Sequence, residues 1–221
     1  MPVRKIGLCR RSVGGRVPRG GGRRGIDVES TLERDFVLLQ RFDPAVADIE
    51  ERPVRIPLFR LDGRAGHYVP DFLVTYRDPA RPPRLVEVKH SDDPALLAGE
   101  LEARLAAARA HASDRGWRFD LVTEREIRIP RLDAAKFLLP YRDRAVGPEL
   151  RDRLLALAAK PRATVATLRD AAAADLMARA QILPDIWTLV ARRELLADLD
   201  CPLSLATRLH PPTGGPPWPP A

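Results

Sequence analysis

The chain has 221 residues, 45% apolar and only 5% aromatic, and a formal net charge of +7; this suffices for one ordinary domain plus a small second one, with a core resting on Leu, Val, Ile and Ala. No apolar run approaches the ~20 residues that span a bilayer, and the charged N-terminus lacks the apolar stretch of a secretory signal. Cys9 and Cys201 stand far apart in no metal-type spacing, so a reducing cytoplasm is expected.

Residues 1–26 carry eight basic side chains and no acid, and taking those eight from the 37 leaves 29 basic against 30 acidic residues. The excess positive charge therefore lies in an arm. Gly14, Gly15, Gly20, Gly21, Gly22 and Gly25 among its arginines predict disorder over 1–26. Arg10, Arg11, Arg16, Arg19, Arg23 and Arg24 are its candidate DNA contacts, because each neutralised phosphate releases counterions. The competing reading is a solvated tail with no partner.

Order is expected from about Val28. Ser30 followed by Glu33 has capping-box spacing, and Leu32, Phe36 and Leu39 repeat at i, i+4, i+7. The spacing predicts a helix over 31–42, ended by Asp43-Pro44. Residues 49–60 read as a strand with Pro53 and Pro57 near an edge. Asp62-Gly63 is a turn signal, 67–76 the next strand, and 85–89 a short third strand. Residues 94–115 predict a helix stopped by Gly116, and 117–123 a fourth strand. A helix between the third and fourth strands allows those two to run parallel. Residues 124–146 read as a helical extension. Helices are then expected at 148–159, 164–173 and 176–193, followed by short strands at 195–199 and 203–205, which is a winged-helix pattern. Residues 210–221, with six prolines, predict an extended tail.

Three pieces carry chemistry. Glu33 lies on the first helix, Pro70-Asp71 interrupts an apolar strand, and Glu87-Val88-Lys89 lies in the third strand. Phosphodiester hydrolysis needs a hard cation to stabilise phosphoryl charge and to acidify a water, and Mg²⁺ prefers carboxylate oxygens. Asp71 and Glu87 can supply two from neighbouring strands. Glu87 and Lys89 are two residues apart and share a face, so the lysine can orient water or hold the scissile phosphate. Burying several charges there is costly unless they pair or bind metal. Each piece has a plainer reading: Glu33 as the capping partner of Ser30, Asp71 as the shaper of a bulge, Glu87 and Lys89 as an exposed salt bridge. Together, on the right elements and in the right order, they point to a PD-(D/E)xK nuclease. His67, His90, His111 and His210 show no zinc spacing; only His90 is expected near the site. Glu50, Glu51, Asp92 and Asp93 read as solvated charge.

Residues 29–36 (ESTLERDF), 42–46 (FDPAV), 68–73 (YVPDFL) and 85–89 (LVEVK) resemble TnsA-type transposase endonuclease subunits. The resemblance covers about residues 27–125. It implies a restriction-endonuclease-like α/β fold, a mixed sheet flanked by helices, with a small C-terminal winged helix. It also implies cleavage of double-stranded DNA at the 5′ ends of a mobile element, beside a TnsB-type transposase and a TnsC-type ATPase. Two Mg²⁺ are implied, with Mn²⁺ able to substitute. On this likeness Glu33, Asp71 and Glu87 are the metal ligands, and Lys89 is the family's lysine. One departure stands out: the family often has Gln before the proline of its second element, where this chain has Arg52-Pro53. The expected organisation is a basic arm (1–26), an endonuclease domain (27–146), a winged-helix-like domain (147–209) and a proline-rich tail (210–221). The alternatives are a stand-alone restriction or repair nuclease, and a non-catalytic DNA-binding scaffold of the same fold.

Overall fold

The computed structural model describes residues 14–19, 22–59, 65–173 and 175–212. Arg10, Arg11, the Asp62-Gly63 turn and the tail from 213 onward, Trp218 included, lie outside the described residues. Two compact units divide between Ile129 and Pro130.

The first unit opens with an antiparallel pair, β1 (Gly15–Val17) and β2 (Ile26–Val28). This corrects the expectation of disorder through residue 26. Val17, Ile26 and Val28 are buried, and burying them offsets the ordering entropy that the glycine-rich composition suggested could not be recovered. Gly25 is required by close approach, since a Cβ there would meet the Val17 carbonyl oxygen at 2.9 Å.

Helix α1 (Thr31–Phe42) forms as its periodicity predicts. The Ser30 hydroxyl accepts from the Glu33 N–H at 3.0 Å, and Leu32, Phe36 and Val37 are buried. The expected strand at 49–60 is two strands, β3 (Val46–Glu51) and β4 (Ile56–Phe59). Arg52 separates them at φ 49°, in the left-handed region, and Pro53 follows with no ladder donor. The strand expected at 67–76 is likewise broken at Pro70-Asp71, into β5 (Ala65–Tyr68) and β6 (Phe72–Tyr76). β7 (Arg84–Val88) is followed by α2 (Pro94–Leu97) and α3 (Glu102–Ser113); the single helix expected here is interrupted, with Gly99 at φ 73° between the two. β8 (Arg118–Val122) and the short α4 (Glu124–Ile127) complete the unit.

The main sheet runs β3-β6-β7-β8. Its first two pairings are antiparallel, and β7 and β8 pair in parallel across the helical crossover. One face, with Phe72, takes α1 through the Phe36–Phe72 stack at 5.3 Å. The other face, with Leu73 and Leu85, packs with Ile56 and Tyr68 of the β4–β5 hairpin and with Ala108 and Ala112 of α3. The unit is thus α/β with a mixed sheet flanked by helices.

The second unit begins with α5 (Pro130–Leu138) and a 3₁₀ turn (Leu139–Tyr141). α6 (Pro148–Ala158), α7 (Val165–Ala172) and α8 (Leu176–Ala191) follow. Residues 130–146 therefore fall in this unit rather than, as expected, with the residues before them. The reason is packing: the Phe137 ring meets Trp187 of α8 edge-on at 5.1 Å. The strands expected at 195–199 and 203–205 do not form. Instead, isolated antiparallel bridges join Leu196 to His210 and Thr164 to Arg208. The segment around Ala163 supplies the missing partners, with Leu209 N–H donating to Ala163 O at 2.9 Å and Val165 N–H to Thr207 O at 3.0 Å.

Candidate active site

The site forms where β6 and β7 meet. Phe72 lies opposite Val86, so the next position outward brings Asp71 beside Glu87. Pro70 withholds a ladder donor, and Asp71 bends the chain before β6. The Asp71 carbonyl oxygen accepts from the Arg52 N–H at 2.8 Å, while its Oδ2 accepts from the Val88 N–H at 2.8 Å. Asp71 thus shapes the sheet end, and the same two bonds fix its carboxyl beside β7.

Glu87 is buried, 6% exposed, which rules out a solvated surface pair. Tyr68 donates its hydroxyl to Glu87 Oε2 at 2.5 Å, and Lys89 Nζ pairs with Glu87 Oε1 at 2.9 Å. The expected same-face arrangement of Glu87 and Lys89 is therefore realised. Lys89 N–H continues the parallel ladder to Val122 O at 3.1 Å, so its stem is held by backbone on one side and by Glu87 on the other.

Glu33, also buried, carries two duties. Its Oε2 accepts from the Glu29 N–H at 2.8 Å and faces Arg52 Nη2 at 3.5 Å. Glu33 thus holds the N–H one residue before the expected Ser30, while its charge also reaches Asp71. Among the described residues no three His, Cys, Asp or Glu side chains stand together as a group able to hold a metal. Asp71 and Glu87 form one acidic pair, and Glu33 is drawn toward Arg52.

The electrostatics separate these groups. Burial raises the Asp71 carboxyl well above the usual range; the neighbouring charges of Glu87 and Glu33 push the same way, and Lys89 and the Val88 N–H only partly oppose them. Burial also raises Glu33, against the Glu29 N–H and Arg52. Burial alone would discharge Lys89, but Glu87 and Asp71 outweigh it and hold the ammonium above the ordinary lysine range. Burial and the Glu87 charge keep Tyr68 a neutral phenol and a hydrogen-bond donor. With both carboxyls ionised the site would hold more buried negative charge than Lys89 can balance, which drives Asp71 toward its protonated form. A hard divalent cation relieves such a surplus, and an all-carboxylate donor set suits Mg²⁺.

Residues 43–124 match the family model of the TnsA-like endonuclease N-terminal domain. That span is similar to TnsA-type endonuclease domains. The TnsA-like match contains Asp71, Glu87 and Lys89, whereas Glu33 precedes it. No curated protein matches the chain.

Two residues of this site escaped the sequence. Tyr68 has no role in the sequence beyond its place in the strand expected at 67–76, and it is also core, at 8% exposed. Arg52 reads as a departure from pattern, although a cation before a proline, between apolar strands, was the available signal. The remaining candidates fall elsewhere. His90 Nδ1 lies 3.6 Å from Glu124, whose carboxyl is pulled down to about 2 by bonds from the Ser91 hydroxyl and N–H. Arg16, Arg19, Arg23 and Arg24 sit on or beside the β1–β2 hairpin in ion pairs. Arg16 meets Asp27 at 2.6 Å, Arg19 meets Asp48 and, at 3.1 Å, Glu51, Arg23 meets Asp48 at 3.3 Å, and Arg24 meets Asp27. Glu51, expected in water, is buried against Arg19. Asp93 caps α2 through the Ala95 N–H at 2.9 Å.

Proposed function

We propose that the chain is a Mg²⁺-dependent DNA endonuclease subunit of a heteromeric transposase. It cuts double-stranded DNA at the 5′ ends of a mobile element, beside a TnsB-type transposase and a TnsC-type ATPase. The observation that carries this reading is the unbalanced acidic pair Asp71–Glu87, with Lys89 attached, inside the matched nuclease span.

Asp71 and Glu87 hold the cation, and Glu33 stands beside them. A bound Mg²⁺ supplies charge stabilisation at the phosphoryl oxygens and a water of lowered pKa. Lys89 keeps its proton at neutral pH, so it acts as a fixed positive charge on the scissile phosphate rather than as a base. Tyr68 orients Glu87, which in turn aims Lys89. Mn²⁺ substitutes because it accepts the same oxygen ligands. Helices α6 to α8 and the bridged segments behind them support a winged-helix reading of the second unit. That unit serves docking, with protein favoured over DNA because Arg192, Arg193 and Arg208 are its few basic groups after α8. No described helix is long and apolar enough to cross a membrane.

The test is a nicking assay with Mg²⁺ on end-containing duplex DNA, with and without the two partners. Asp71→Asn should abolish cleavage while DNA or partner binding persists. Cleavage surviving in Asp71→Asn would overturn the assignment.

A further inference from the structure

The Arg52 side chain is 5% exposed, yet its guanidinium is charged and surrounded by acceptors. Nη2 pairs with Glu29 Oε1 at 3.2 Å and Glu33 Oε2 at 3.5 Å, and Nη1 donates to the Asp27 carbonyl at 3.1 Å. Its own N–H holds the Asp71 carbonyl oxygen at 2.8 Å. The left-handed backbone at Arg52, φ 49°, is a conformation that a non-glycine residue adopts at a cost. It lets one residue bond Asp71 through its main chain while its side chain reaches α1.

We propose that Arg52 takes the place of a divalent cation at Glu33, so that this chain binds a single metal ion, on Asp71 and Glu87. This rests on the nuclease reading above and departs from the two-ion expectation. Three observations carry it. Glu33 already has a buried positive partner on Oε2. The same oxygen also accepts the Glu29 N–H at 2.8 Å, so its lone pairs are committed. Among the described residues no third metal-binding side chain joins the Asp71–Glu87 pair. A second divalent ion at Glu33 would face a fixed guanidinium in a setting that screens charge poorly, and guanidinium does not lose its proton to make room. Arg52 is thus a positioning residue: it neutralises Glu33 and ties α1 to the backbone of Asp71.

The test is the stoichiometry of Mn²⁺ binding to the full chain, by isothermal titration calorimetry and by electron paramagnetic resonance of free Mn²⁺, without DNA. One ion per chain is expected, lost in Asp71→Asn and retained in Glu33→Gln. Arg52→Gln, checked for folding by its thermal melt, should admit a second, weaker ion that Glu33→Gln in the same chain removes. Two ions in the unaltered protein would overturn the inference while leaving the nuclease reading intact. No ion, or one indifferent to Asp71, would overturn the nuclease reading itself. A folded Arg52→Gln chain that still binds one ion would show that Arg52 does not occupy a cation position. If Arg52→Gln does not fold, the unaltered protein and Glu33→Gln still decide the number of ions.

Discussion

Charge gathers in two places in the first unit, and the two are built differently. Around the β1–β2 hairpin each named acid has an arginine: Asp27 takes Arg16 and Arg24, and Asp48 takes Arg19 and Arg23. Most of the arginines there stand open to water, Arg16 at 60%, while Arg19 and Asp27 are largely covered and still paired. At the β6–β7 end, Asp71 and Glu87 share one lysine, and Glu87 is buried. Open, balanced charge costs little and needs no ligand. Buried, surplus charge is expensive and marks a site that waits for one. The contrast locates chemistry more firmly than net charge does, since the hairpin gathers four arginines and pairs each of them.

The largest effect should come from the surplus itself. Asp71→Asn removes a ligand and should lower cleavage by about 10³-fold or more, since metal assistance contributes several kcal/mol and each 1.36 kcal/mol is tenfold. The apo protein should gain stability at the same time, because the substitution removes one of the repelling buried charges. Single-turnover cleavage and a thermal melt read both halves. A variant that is inactive and also less stable would break the contrast. Lys89→Met should cost roughly 10²-fold, as the loss of one preorganised charge on the transition state. It should also lower Mn²⁺ release from the site, since the Glu87–Lys89 pair competes with the cation for Oε1. Weaker rather than tighter Mn²⁺ binding in that variant would show that Lys89 holds the ligand in place instead of opposing the ion.

A smaller effect is expected at Tyr68. Tyr68→Phe keeps the ring that packs on Leu73 and Leu85 but deletes the donor to Glu87. Losing such an outer partner of a ligand costs on the order of 10-fold to 100-fold in metal affinity or rate. The metal titration should move with the rate. An unchanged Mn²⁺ affinity beside a slower rate would mean that Tyr68 touches the substrate instead.

These cases show what the residues alone could disclose. α1 and its cap were legible because Ser30, Glu33 and the Leu32–Phe36–Leu39 spacing are local signals. So were Asp71, Glu87 and Lys89, since charge inside an apolar strand announces itself. Arg52 was not, because its role depends on a left-handed backbone that arginine rarely adopts and on partners nineteen or more residues away. The hairpin was hidden for a related reason. Val17, Ile26 and Val28 are too few to signal a strand, and they bury themselves only in the tertiary fold. The start of the second unit at Pro130 was hidden too, since the Phe137–Trp187 contact joins residues fifty apart.

The smallest effect lies on the balanced side of the comparison, where pH should act. The Arg16 hydrogen bond, helped by Arg24, holds the Asp27 carboxyl below the usual carboxylate range, against its burial. A lowered folded-state pKa means that the unfolded chain takes up the proton first. The stabilisation is therefore present above the ordinary Asp value near 4 and is lost as pH falls through the lower folded value. Acidification from about pH 5 to below 4 should loosen the hairpin ahead of the sheet, and the Ile26 and Val17 amides, which lie on the β1–β2 pair, should exchange faster with solvent. Asp27→Asn should remove that pH dependence and leave the core amides of β6 and β7 unmoved. High salt should mimic part of it, because exposed pairs are screened. If the hairpin amides instead keep their protection in acid, the three buried apolar residues alone hold it, and its ion pairs serve only to neutralise the arginines.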